Sequence, residues 1–184
     1  SDQTELQELD RQITWMELDQ SPLTFALNIS RNYGESWEDY HHLRLLNDKV
    51  MALLDGSLGK KRLMVTMPPR HGKSEYCSKY LPAWFLNKFP DKRIILGSYG
   101  DDFAAEWGRK VRDIFKSNQH KLSQEISNDS SAANRWNIDG HNGGMITAGV
   151  GGQITGRGAH LFIIDDPVKD AVEANSAADR NRKW

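Results

Sequence analysis

Met67-Pro68-Pro69-Arg70-His71-Gly72-Lys73-Ser74 decides the reading of this chain, because it stands between an apolar run and a helical pattern. Upstream, Leu63-Met64-Val65-Thr66-Met67 is short and nearly continuous in apolar residues, the mark of a strand buried on both faces. Downstream, Cys77, Tyr80/Leu81 and Trp84/Phe85 share one helical stripe, and Pro82 is expected to bend or shorten that helix. A strand–loop–helix junction of this composition suits a polyphosphate. Gly72 lets the backbone turn so that successive N–H groups point inward. Lys73 can reach the β- and γ-phosphates, and the Ser74 hydroxyl can ligate Mg²⁺. The following helix points its positive end at the same anion. One departure is plain: the first glycine of the usual pattern is replaced by Met67, and two prolines stiffen the loop instead. The bland alternative is a surface turn that happens to contain Gly-Lys-Ser.

A second segment weighs against that alternative. About 90 residues later, Leu161-Phe162-Ile163-Ile164 ends in Asp165-Asp166-Pro167. Functional groups in parallel sheets gather at the carboxyl ends of strands, where a nucleotide enzyme holds its metal. Asp165 is therefore assigned to Mg²⁺, and Asp166 is the candidate general base that polarises the attacking water. Taken alone, such a string would more simply be a strand leaving through a polar turn; the pairing with the loop favours function.

Between these segments strands and helices alternate. Arg93–Ser98 reads as a strand; Phe103, Trp107, Val111 and Ile114/Phe115 mark an amphipathic helix. Residues 117–144 are polar and read as loop, with one short strand near Trp136–Ile138, and Met145–Val150 reads as another strand. Residues 149–158 form a glycine-rich turn region, and Leu161–Ile164 is the last buried strand. Alternation of this kind implies an α/β fold with a mostly parallel sheet flanked by helices. Ahead of it, Leu6, Leu9, Ile13 and Met16 are spaced as the stripe of a short helix ended by Ser21-Pro22. A second helix is expected from Ser36, capped with Asp39, with Leu43, Leu46, Val50 and Leu53/Leu54 on its apolar stripe and Gly56 closing it. Residues 1–35 are thus read as a helical extension and 36–184 as the main domain.

Composition narrows the classes. Of 184 residues, 24 are Lys or Arg and 25 are Asp or Glu, a net charge of −1, which argues against a broad nucleic-acid-coating surface. Lys60, Lys61, Arg62, Lys110 and Arg112 are basic, but solvated charges explain them equally well. The single Cys77 excludes an internal disulfide and fits a reducing cytosol. No apolar run approaches the roughly 20 residues of a membrane helix, and no leader opens the chain. Ser1 reads as a processed end. None of the six histidines has metal-site spacing.

Three strings together, Met67–Glu75, Gly151–His160 and Ile163–Asp170, resemble the large terminases of tailed phages and prophages, over roughly residues 37–184. The resemblance implies a P-loop ATPase fold of the RecA-like, additional-strand type, with ATP and Mg²⁺ as cofactors. It implies a motor that drives double-stranded DNA into the procapsid, in the host cytoplasm at the portal, with portal protein and a small terminase subunit as partners. It carries the nucleotide-binding role onto Pro69, Arg70, His71, Gly72, Lys73, Ser74 and Glu75. Arg70 matches the arginine that terminases carry in the phosphate loop, and Arg157, in Gly156-Arg157-Gly158, matches one that inserts into a neighbouring subunit's site. A trans-acting arginine is worth on the order of 10³–10⁵ in rate; the alternative is that Arg157 binds a carbonyl or a DNA phosphate.

The acid after the metal aspartate is commonly Glu in these motors, so Glu173 stands beside Asp166 as a candidate base. An aromatic and a polar residue ahead of the first strand hold the adenine in related motors; Trp37, Tyr40, His41 and His42 occupy that region, with plain helix-surface packing as the alternative. The family continues with a coupling strand and a nuclease domain. The chain is therefore expected to be a fragment without nuclease activity, a weakly active monomer in isolation, and part of a homo-oligomeric ring when assembled. Two other classes are weighed: another P-loop DNA-dependent ATPase of helicase or repair type, and a nucleotide-binding assembly module with little hydrolysis. A small-molecule kinase would need a lid and acceptor pocket, of which the sequence shows no sign.

Overall fold

The computed structural model describes residues 2–31, 37–152, 158–169 and 175–176. Its elements run α1 (Asp2–Gln20), α2 (Pro22–Ser30), α3 (His41–Leu54), a π-helical turn (Glu75–Tyr80), α4 (Leu81–Lys88), β1 (Arg93–Ser98), α5 (Asp101–Ser117), β2 (Ile126–Ala132), β3 (Arg135–Ile138), β4 (Gly144–Gly149) and β5 (Leu161–Ile164).

The five strands form one sheet in the order β2-β3-β4-β1-β5. β1 pairs parallel with β4 and β5, whereas β2 with β3 and β3 with β4 are antiparallel. The expectation of a mostly parallel sheet is corrected on this point: the fold is α/β with a mixed sheet flanked by helices. The cause is the segment read as loop. Ile-Ser-Asn-Asp-Ser-Ser-Ala is poor in β-formers, yet it folds back on β3 as a hairpin and extends the sheet by an antiparallel edge.

The second correction concerns Leu63–Met67, which lies outside the sheet. Leu63, Val65 and Met67 are half-buried and alternate with Thr66 and with Met64, which is 91% exposed. The run is covered on one side only, with Leu63, Val65 and Met67 against the core, so its apolar character comes from one covered face rather than two. β5 is consequently an edge strand, with Ile163 buried but Phe162 and Ile164 about half exposed.

Helix periodicity reads through more faithfully. Trp107, Val111, Ile114 and Phe115 are buried on α5 as their spacing requires, and α5 lies on β4, β1 and β2. Gly108 allows that close approach. A Cβ there would stand 2.3 Å from the Ala133 carbonyl oxygen, and the Gly108 carbonyl accepts the indole N–H of fully buried Trp136 at 3.0 Å. Leu43, Leu46 and Val50 are buried on α3 as expected, and Gly56, at φ 84°, closes that helix.

Two local expectations change and a third is extended. α3 starts at His41, after Tyr40, with no side-chain cap, and Asp39 instead pairs with Arg44 at 3.4 Å; Ser36 lies outside the described residues. Leu6, Leu9, Ile13 and Met16 on α1 are all exposed, and among the described side chains of that helix Leu18, near its end, reaches the core. Ser21-Pro22 does end α1, but it also starts α2: Ser21 Oγ accepts the Thr24 N–H at 3.2 Å and Pro22 occupies the first turn. Leu23, Phe25, Ala26 and Ile29 of α2 join the same buried cluster as the sheet.

The helix expected to bend or shorten at Pro82 runs on past it to Lys88, with a widened turn just ahead. A proline ring clashes with the carbonyl four residues back and offers no N–H to it. The chain meets that by widening the preceding turn: Leu81 N–H donates to the Tyr76 carbonyl, five residues back, and α4 then continues to Lys88.

Candidate functional site

The loop after Met67 and the end of β5 meet in one place. Gly72 has φ 84°, and Arg70, with φ 62°, adopts the left-handed conformation without being glycine. A strained residue in an exposed loop is held there by its surroundings. Here His71 Nδ1 bonds the Pro69 carbonyl at 2.8 Å, His42 Nε2 donates to the His71 carbonyl at 3.1 Å, and Tyr76 N–H donates to the Gly72 carbonyl at 2.8 Å. Trp37 lies under the turn: a Cβ on Gly72 would come within 3.3 Å of its ring, which leaves little room for any other residue. The Trp37 ring in turn meets Tyr80 edge-on, with centroids 5.0 Å apart.

From this loop Lys73 and Ser74 reach across to the strand end. Lys73 Nζ donates to Asp166 Oδ1 at 2.9 Å and lies 3.5 Å from Asp165 Oδ1. Ser74 Oγ donates to Asp165 Oδ1 at 3.2 Å, and Ser78 Oγ donates to Asp165 Oδ2 at 3.0 Å. Asp165 is 4% exposed, whereas the Asp166 side chain is 55% exposed. β5 registers them through its backbone: Asp165 N–H donates to the Gly97 carbonyl at 3.0 Å, and Tyr99 N–H donates to the Asp166 carbonyl at 3.1 Å. Asp166, at φ 44°, is the second non-glycine residue with left-handed backbone. The two non-glycine residues of left-handed backbone in the described chain thus stand in the loop and at the strand end that meet here.

The charges are mutually set. Partial burial disfavours the Lys73 ammonium, but the hydrogen bond to Asp166 and the charges of Asp165 and Asp166 outweigh it, so the pKa of Lys73 lies above the ordinary lysine value. Cys77, on the same turn, is pushed up to about 12, first by burial and then by the charge of Asp165. A buried carboxylate whose two oxygens each face a serine hydroxyl is a hard-oxygen donor set. It suits Mg²⁺, which takes one or two protein oxygens and fills its shell with water and phosphate.

Not every residue read from the sequence joins this cluster. Glu75 pairs with Lys79 at 2.9 Å. His42 lines, with Leu45, Leu46, Lys49 and residues 63–68, an apolar cavity of about 440 Å³ beside the loop. Lys110 is engaged by Glu106 at 3.1 Å and Arg112 by Asp113 at 3.3 Å, which accounts for both charges locally. Lys60, Lys61 and Arg62 are exposed. Arg157 and Glu173 lie outside the described residues. Sequence reasoning missed Ser78, although a second serine four positions after Ser74, on the same helical face, was the available signal. It also missed Asn47, whose Oδ1 accepts Tyr76 OH at 2.9 Å and Leu23 N–H at 3.1 Å and so ties α2 and α3 to the π-turn.

Fold and site together define an α/β domain with a cationic loop and paired carboxylates converging at the carboxyl edge of its sheet. A family model described as terminase large subunit, T4likevirus-type, N-terminal, matches residues 64–180, and the chain belongs to that family. Membership implies a role in the phage packaging motor and points to DNA and packaging components as partners. Among curated proteins and among solved structures, nothing matches. No helix among the described residues is long and apolar enough to cross a membrane.

Proposed function

We propose that this chain is an ATPase whose turnover drives double-stranded DNA into a procapsid, with residues 36–184 forming a P-loop domain of the RecA-like type and residues 1–35 a helical extension. The observation that carries this reading is the meeting of Lys73 and Ser74 with Asp165 and Asp166, 91 and 93 positions away in the chain.

In this reading the loop from Pro69 to Glu75 wraps the phosphates. Gly72 and its neighbours turn their backbone N–H groups to the anion, at the start of a helix that continues to Lys88. Phosphate oxygens compete with Asp166 for the Lys73 ammonium, so substrate binding releases the Asp166 carboxylate to orient and deprotonate the attacking water. Asp165 and Ser74 would hold Mg²⁺, which would supply charge neutralisation for the phosphates. Arg70, exposed and aimed by its left-handed backbone, adds positive charge at the loop. Trp37 supports the loop from below, and His42 and its cavity offer an apolar wall for the base.

Arg157 acts on a neighbouring subunit in a homo-oligomeric ring. The support is the Gly156-Arg157-Gly158 step, which lies within the residues that the family model matches. Glu173 is the alternative base. Portal protein and a small terminase subunit are the partners expected at the procapsid, in the host cytoplasm. A helicase-type or kinase reading draws no support from the family match.

The test is ATP turnover with and without duplex DNA, in the parent and in Lys73→Ala. Turnover that needs Mg²⁺ and Lys73 supports a motor ATPase. Tight Mg²⁺-dependent ATP binding without turnover, also after the subunits are brought together, favours a nucleotide-gated assembly module instead.

A further inference from the structure

Ser78 stands outside every role given above, yet it is fully buried and its hydroxyl donates to Asp165 Oδ2 at 3.0 Å. Its carboxylate partner is itself 4% exposed and receives Ser74 on the other oxygen at 3.2 Å. Asp165 is therefore clamped by two serines of one helical segment, Ser74 and Ser78. We infer that Ser78 is the positioning residue for the metal-binding carboxylate: it fixes the rotation of the Asp165 side chain so that one oxygen stays directed at the cation. The inference rests on the reading of Asp165 as a Mg²⁺ ligand.

The two serines differ in what else they must do. The Ser74 hydroxyl is itself wanted as a metal ligand, and so cannot be relied on to donate to Asp165 once a cation is present. Ser78 lies one turn deeper, away from solvent, with no such competing task. Hydrogen-bonding partners behind a metal ligand orient it and are commonly worth 10–100-fold in metal affinity.

The π-helical turn explains how the second serine reaches. Lys73 and Ser74 begin as ordinary helix; from Glu75 to Tyr80 the turn is wider, with Leu81 N–H bonded to the Tyr76 carbonyl. A wider turn changes the angle between residues four apart and brings both hydroxyls onto one carboxylate. Pro82 creates the need for that turn, since its ring would meet the Ser78 carbonyl in a regular helix. Such insertions recur at functional sites.

The experiment is a Mg²⁺ titration of the binding of a fluorescent ATP analogue to the 184-residue chain, with melting curves recorded without nucleotide. Ser78→Cys keeps the volume but replaces the hydroxyl by a weak donor; Ser78→Ala removes it; Ser78→Thr keeps it. The Cys and Ala variants are expected to need roughly 10-fold more Mg²⁺ for half-saturation, with analogue affinity restored when Mg²⁺ saturates, while Thr stays near the parent. Variants that melt at lower temperature but keep the parent's Mg²⁺ requirement would overturn the inference and leave Ser78 a packing residue. If the parent itself shows no Mg²⁺-dependent binding, the metal reading of Asp165 fails first, and this inference with it.

Discussion

Lys73 and Asp166, 93 positions apart in the chain, form an ion pair at 2.9 Å at the mouth of the candidate site. The pair has a direct consequence for pH dependence. The folded environment raises the Lys73 pKa, because the Asp166 hydrogen bond and both carboxylates outweigh partial burial. The stability gained from charged Lys73 is therefore complete below the unfolded value of about 10.4 and is lost as pH rises through the higher folded value. Chemical-denaturation midpoints of the parent and Lys73→Met should differ by a constant amount between about pH 7 and 9, and begin to converge only above about 10.5. A difference that persists undiminished at the alkaline end would contradict the pairing.

Arg157 invites a mixing experiment. Arg157→Ala and Lys73→Ala are each expected to be inactive or nearly so, the former by up to 10³-fold or more. If Arg157 serves the neighbouring subunit, combining the two defective proteins creates interfaces where an intact Lys73 site faces an intact Arg157. Turnover should then reappear at concentrations where subunits associate. A mixture as silent as its components would confine Arg157 to its own chain.

Cys77 should be almost inert in the folded protein. Burial and the nearby Asp165 charge hold its thiol near 12, so the reactive thiolate is scarce at neutral pH. Labelling by an aromatic disulfide reagent at pH 8 is expected to run at least ~100-fold slower than in urea. Prompt labelling under native conditions would mean that the π-turn opens readily.

Gly108→Ala tests the approach of α5 to the β2–β3 hairpin. The new methyl would lie 2.3 Å from the Ala133 oxygen and 3.0 Å from Thr147 Cγ2, and the first of these is backbone. A loss of about 1–3 kcal/mol is expected, read from urea midpoints. An unchanged midpoint would show that the hairpin can shift away freely.

Much of the candidate site was legible in the sequence because its chemistry is local. Gly72, Lys73 and Ser74 are consecutive, and Asp165 and Asp166 close an apolar strand whose bounds were read correctly. What the sequence hid depends on partners distant in the chain. Ser-Asn-Asp-Ser-Ser carries no strand signal by itself, and becomes a strand only because β3 offers an edge. Leu63–Met67 carries a strong strand signal, but apolar content cannot say whether the second face is covered. Pro82 reads as a bend or an early end of its helix, since a single sequence does not show that a widened turn can absorb it; the position of Ser78 against Asp165 is a product of that absorption.

Among the described residues the sheet ends at β5, where Phe162 and Ile164 stand half in solvent. A β edge that is apolar and free of lysine lacks the charges that keep strands from templating one another, and only its shortness opposes that pairing. Handling follows from this: concentrated or partly unfolded preparations should clump through that edge, and a lysine placed at Phe162 should raise refolding yield.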